Sequence, residues 1–108
     1  MKYIVDVDGT ICTNTNGDYK NAKPITDRIR HFNDLYDQGH EIHYWTARGG
    51  NSGIDWSELT MTQFVEWNVK CTSLKLGKPP YDLWIDDKAV NCDLYFNSVT
   101  VGNSARQS

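Results

Sequence analysis

Tyr3-Ile4-Val5 is a short apolar, β-forming run, and it leads directly into Asp6-Val7-Asp8-Gly9-Thr10. Such a run reads as a buried strand. Alternate side chains of a strand face the same way, so Asp6 and Asp8 leave its end close together. Gly9 then lets the backbone turn tightly and approach a ligand. Paired carboxylates repel unless a cation or a shared proton relieves them. A hard divalent cation with oxygen ligands, Mg²⁺ above all, suits such a pair. The chain is thereby directed toward folds in which a buried strand ends at a ligand-binding edge.

The rest of the chain supplies helices and further strands. Ile11 to Lys23 is polar and holds Asn16-Gly17, which predicts a short hairpin or flap beside the strand's end. Pro24 opens a predicted helix on which Ile25, Ile29, Phe32, Leu35 and Tyr36 keep helical spacing, with Gly39 as its stop. Glu41-Ile42-His43-Tyr44-Trp45 predicts a second strand ending at Thr46-Ala47-Arg48, with His43 as a core residue. Gly49 to Gly53 is a loop without the Gly-Lys-Ser/Thr ending of a nucleotide P-loop. A second helix is predicted from near Ser57 to Val69, with Met61, Phe64 and Val65 on its apolar side. Leu74-Lys75-Leu76 and Leu83-Trp84-Ile85 read as short strands, the latter delivering Asp86-Asp87 at its end. Ser98 to Val101 suits a final strand, and residues 104–108 a frayed tail.

Strands alternating with helices predict an α/β fold: one Rossmann-like domain over residues 1–103, a parallel sheet with helices on both faces, and a flap at 11–23. In such sheets ligands bind beyond the carboxyl ends of the strands. Asp6, Asp8, Thr46, Asp86 and Asp87 all fall at or just after predicted strand ends, so one crevice could collect them. With 11 basic against 14 acidic residues, a net charge of −3 and no Lys/Arg block, the chain lacks the basic footprint of a nucleic-acid binder. No apolar run approaches membrane-spanning length. The N-terminus enters a strand without a secretory signal, which predicts a cytoplasmic protein. Cys12, Cys71 and Cys92 have no zinc spacing and read as reduced thiols, Cys12 as a packing residue near the site.

In chain order the chemistry-bearing set is Asp6 and Asp8, then Thr46, then Lys78 in Gly77-Lys78-Pro79, then the acidic pair of Ile85-Asp86-Asp87-Lys88. This order resembles the four motifs of the haloacid dehalogenase-like (HAD) phosphatase superfamily and spans residues 6 to 88. The resemblance implies a three-layer, HAD-like sheet and a Mg²⁺-dependent phosphomonoester hydrolase working through an aspartyl-phosphate. Asp6 would be the nucleophile and Asp8 the general acid and base. Thr46 and Lys78 would bind phosphate, Lys78 by neutralising developing charge. The metal would be held by Asp6, the backbone carbonyl of Asp8, Asp87 as direct ligand and Asp86 beside it. Arg48 is placed to reach a substrate anion or to stand at the surface.

The segments flanking these motifs are too short for a cap domain, so the chain resembles the capless members. From Leu76 to Val90 it is similar to small relatives associated with capsule and surface-polysaccharide synthesis. That likeness implies a sugar phosphate or other small phosphate ester as substrate, with a nucleotide or nucleic-acid end phosphate behind it. An open site also predicts a homo-oligomer, dimer or tetramer, in which a neighbour shields the cleft. A receiver domain would place its acidic pair first and is excluded by the order. A phosphate-binding module without turnover stays as the alternative outside catalysis; its signature would be a missing Asp6 or Asp8, and both are present.

Overall fold

The computed structural model describes residues 1–50 and 53–103. Three parallel strands, β1 (Lys2–Val5), β2 (Glu41–Trp45) and β3 (Ser73–Lys75), form one sheet in that order, with β2 in the middle. Helix α1 (Thr26–Asp37) follows β1, α2 (Ser57–Glu66) follows β2, and α3 (Cys92–Asn103) closes the described chain. Register pairs Tyr3 with Ile42 and Val5 with Tyr44, then Tyr44 with Leu74, so these side chains share one face. No helix among the described residues is long and apolar enough to cross a membrane. The tail expected over residues 104–108 lies outside the described residues, as do Asn51 and Ser52 of the glycine-rich loop.

The local signals behind the first half of the chain act as the sequence suggests. Asn16 and Gly17 both take positive φ (53° and 99°), and the Asp18 N–H donates to the Thr15 carbonyl at 3.2 Å. Positive φ at both central positions is the type I′ turn that Asn-Gly favours. Behind the turn, the Thr13 N–H donates to Lys23 O and the Ile25 N–H to Ile11 O, drawing the two arms of the flap together. At the end of α1 the Gly39 N–H donates to Tyr36 O and the His40 N–H to Leu35 O. These two bonds satisfy carbonyls that the helix would leave open, and they turn the chain into β2.

Among the described residues the core lies on one side of the sheet. Val5, Ile42 and Tyr44 meet Ile29 and Phe32 of α1, Phe64 of α2 and Phe96 of α3 in a single cluster. Phe32 is its hub, with ring contacts to Tyr3, Tyr44, Tyr95 and Phe96. Among the described residues the opposite face is bare but for Trp84, whose ring meets Trp45. Its concavity, about 280 Å³, is lined by residues that include Lys2, Ile4, His43, Trp45, Ser73 and Lys75. The described residues therefore form two layers, where alternation predicts helices on both faces. His43 sits on this bare face rather than in the core, bonded to Ser73 Oγ and to Glu41.

Three further expectations change. Leu83-Trp84-Ile85 forms no strand, and all three side chains are exposed. Trp84 instead sets its ring edge-on to Trp45 and Tyr81, which holds the segment as coil against the end of β2. Ser98 to Val101 is helical: α3 is started by Asn91, whose side chain accepts the Asp93 N–H at 2.9 Å, and buries Phe96. On α2 the apolar stripe is displaced, with Met61 at 59% and Val65 at 76% exposure, while Thr60 and Gln63 are buried beside Phe64. The reason is a charged group inside the molecule that those two polar side chains serve.

Candidate active site

Parallel strands put their carboxyl ends on one edge, and that edge collects four of the expected residues. Asp6 and Asp8 follow β1, Thr46 follows β2, and Lys78 lies three residues beyond β3. The backbone fastens the last two together, because the Thr46 N–H donates to Lys75 O and the Lys78 N–H to Thr46 O, each at 2.9 Å. After Asp8 the chain folds back at once, the N–H groups of Thr10 and Ile11 returning to the Val7 carbonyl. Gly50 packs against the Lys78 segment so closely that a Cβ there would lie 2.7 Å from Lys78 O and 3.1 Å from Ala47 O. A side chain of any kind is excluded at that position.

Asp6 is the exposed member of the carboxylate pair. Its side chain keeps 39% of its surface open, with Lys78 Nζ 3.6 Å from one oxygen. Thr10 Oγ1 donates to the other oxygen at 3.4 Å. Burial pushes the Asp6 carboxyl above its ordinary value; Lys78 and the Val7 N–H pull it down, and the neighbouring Asp8 charge adds to the rise. Lys78 is itself nearly buried, its ammonium facing the rings of Tyr81 and Trp84 at 5.1 and 5.4 Å. Thr46 is fully buried, its hydroxyl oxygen accepting the Arg48 N–H at 3.2 Å.

Asp8 is held from inside the molecule. Arg48 Nε donates to Asp8 Oδ2 at 3.0 Å and Nη2 to Oδ1 at 2.9 Å, a bidentate ion pair. Nη1 donates to Thr60 Oγ1 at 3.0 Å and to Gln63 Oε1 at 2.6 Å. The guanidinium carbon also stands 4.7 Å from the centre of the Tyr19 ring. Arg48 is only 1% exposed, so it faces neither substrate nor surface. Its role was not legible from its position after β2. The signal available was on α2, where Thr60 and Gln63 interrupt the apolar stripe three residues apart. Cys12 packs beside this pair, and burial with the Asp8 charge pushes its thiol up to about 12, too high for a reactive thiolate near neutral pH.

Asp86 and Asp87 lie outside any strand or helix. Both are exposed in the coil after Trp84, and the Asp86 carboxylate is occupied by the Lys88 N–H at 2.8 Å. Among the described residues no group of three or more His, Cys, Asp or Glu side chains could hold a metal ion. The strand that was to carry Asp86 and Asp87 is coil, so the structure bears on the first half of the expected acid set alone. That half still fits a hard cation. Asp6 offers carboxylate oxygens with only long contacts, and Mg²⁺ commonly takes one or two carboxylates with the remaining sites left to water and phosphate. The concavity on the bare sheet face includes none of Asp6, Asp8, Thr46 or Lys78 and is no part of this site.

No family model matches the sequence, and no curated protein matches it. Among solved structures it is similar to a crystal-structure target from Vibrio cholerae, with 30% identity, a TM-score of 0.76, and coverage of 87% of this chain and 85% of the other. The name of that protein states no activity. Agreement of this extent, over most of both chains, places the two together: this chain belongs to the same α/β family as the Vibrio cholerae protein.

Proposed function

We propose that the protein is a phosphomonoester hydrolase of HAD-like type, acting on a small phosphate ester such as a sugar phosphate. The observation that carries the reading is the exposed Asp6 carboxylate with the Lys78 ammonium 3.6 Å away, and Asp8 two residues on. A phosphoryl group needs an in-line nucleophile and positive charge around its oxygens. In the first step an Asp6 oxygen bonds to phosphorus as the ester P–O bond breaks. The leaving oxygen takes the bonding pair and a proton from Asp8. In the second step water attacks phosphorus and gives a proton to Asp8. The Asp6–phosphorus bond breaks, freeing inorganic phosphate and restoring the Asp6 carboxylate. Lys78 balances charge on the transferring oxygens, and buried Thr46 braces the lysine by accepting the Lys78 N–H at its carbonyl.

Mg²⁺, held by the Asp6 carboxylate and the Asp8 carbonyl, would offset repulsion between the nucleophile and the phosphate anion. The test is a panel of phosphate esters with Mg²⁺ and with chelator, together with acid-quench trapping of phosphorylated Asp6. Turnover that is equal in excess chelator removes the metal, and failure to trap label on the wild-type chain removes the covalent step. The exposed coil that carries Asp86 and Asp87 in place of a strand favours one other reading, a phosphate-binding module without turnover. Binding of inorganic phosphate with no hydrolysis of any ester in the panel would select it.

A further inference from the structure

We infer that Arg48 is a positioning residue for Asp8, and that Thr60, Gln63 and Tyr19 exist in their observed places to hold it. The inference rests on the phosphatase reading and deepens it. Asp8 has to give a proton to a leaving oxygen in one step and take one from water in the next, so the direction of its carboxylate decides both. A planar guanidinium meeting a carboxylate through two parallel bonds fixes that direction, which a point charge does not. Arg48 makes this contact from the inside, where it cannot reach substrate.

The arginine is in turn fixed at every donor. The Thr60 hydroxyl donates to Trp56 O at 2.8 Å, which turns its oxygen lone pairs toward Arg48 Nη1. The Gln63 amide accepts from Nη1 and donates through Nε2 to Tyr19 O at 2.7 Å, so its orientation is set at both ends. The second Nη2 hydrogen has Cys12 Sγ at 3.9 Å. Buried polar side chains on a helix cost stability unless they are paired. Thr60 and Gln63 are paired to this one guanidinium, and through Tyr19 the assembly reaches the flap.

Leaving-group chemistry separates positioning from simple support of the fold. Glycerol phosphate needs its leaving alkoxide protonated, whereas p-nitrophenyl phosphate releases a stable phenolate without that proton. In Arg48→Lys, kcat for glycerol phosphate is expected to fall by about 10²-fold or more with KM unchanged. With p-nitrophenyl phosphate the same variant should release one nitrophenolate per site at nearly the wild-type rate. Further turnover should then be slow, because water activation also depends on Asp8. Gln63→Met, which keeps the ion pair, should show the same pattern more weakly and decides the matter if Arg48→Lys does not fold. Equal losses on both esters in the first turnover, or a change in KM alone, overturn the positioning role. A wild-type chain inert to both esters overturns the phosphatase reading itself.

Discussion

Around Arg48 each N–H donor of a buried charge is met by a side chain from a strand end, a helix or the flap, whereas between residues 76 and 91 the chain has no regular structure and leaves Leu83 and Ile85 open to solvent. Both regions carry acidic residues that the sequence assigns to one site. The first is held by elements that pack into the core. Beyond Lys78, the second is held through the ring of Trp84, which meets Trp45 at the end of β2 and Tyr81. Precision at a site comes from the layer behind it, so a carboxylate is fixed only as well as the groups that hold it.

That comparison can be broken most decisively at the carboxylates themselves. Asp6→Asn should abolish the trapped intermediate and nearly all turnover, because an amide is no nucleophile for phosphorus. Asp8→Asn should slow turnover by roughly 10²–10⁴-fold while phosphate binding persists. Equal, mild effects of the two changes, measured in steady-state assays, would remove the two-step mechanism.

Stability offers the next contrast. Arg48→Met leaves Asp8, Thr60 and Gln63 without their partner and should cost about 3–5 kcal/mol in urea unfolding. Asp86→Asn combined with Asp87→Asn should stay within about 0.5 kcal/mol of wild type, as changes at exposed positions do. Mg²⁺ titration of the double variant's activity sharpens the point. An unchanged half-saturation keeps the two acids out of the metal's coordination, and a large increase brings their segment into the site.

The smallest effect belongs to the helical layer. Burial lowers the His31 imidazole from its ordinary value of about 6.5, with the Asp34 charge opposing. A group lowered in the folded state binds its proton first in the unfolded chain, so its contribution is complete above pH 6.5 and is lost as pH falls through the folded value. Urea midpoints should therefore decline modestly below neutral pH, and less so in His31→Gln. A slope unchanged by that substitution would assign it to other groups.

Sequence was most legible where a local rule decides the outcome. Asn16-Gly17 makes its turn, Gly39 ends α1, and Glu41–Trp45 is β2 because short-range geometry leaves few options. It was least legible where a distant partner decides. Met61 and Val65 fit an apolar stripe as well as Thr60 and Gln63 misfit one, and only the buried guanidinium reverses the preference. Val99 and its neighbours look β-forming, yet Cys92, Tyr95, Phe96 and Val99 recur at helical spacing and pack against the core. Leu83-Trp84-Ile85 has strand composition, but Trp84 finds ring partners instead of a ladder. The placement of Asp6, Asp8, Thr46 and Lys78 at one edge was readable because each stands at or beyond the end of a parallel strand.

The close approach at Gly50 has a consequence for how the protein tolerates change. Lys78 keeps its place beside Asp6 partly because nothing projects from residue 50 into its backbone. Even a methyl group there would act as a wedge, prising the lysine loop away from Asp6 while every side chain of the cluster stays intact. Charge compensation at Asp6 is thus hostage to a position that bears no functional group, and a lineage that lost this glycine would lose its electrostatics first and its fold last.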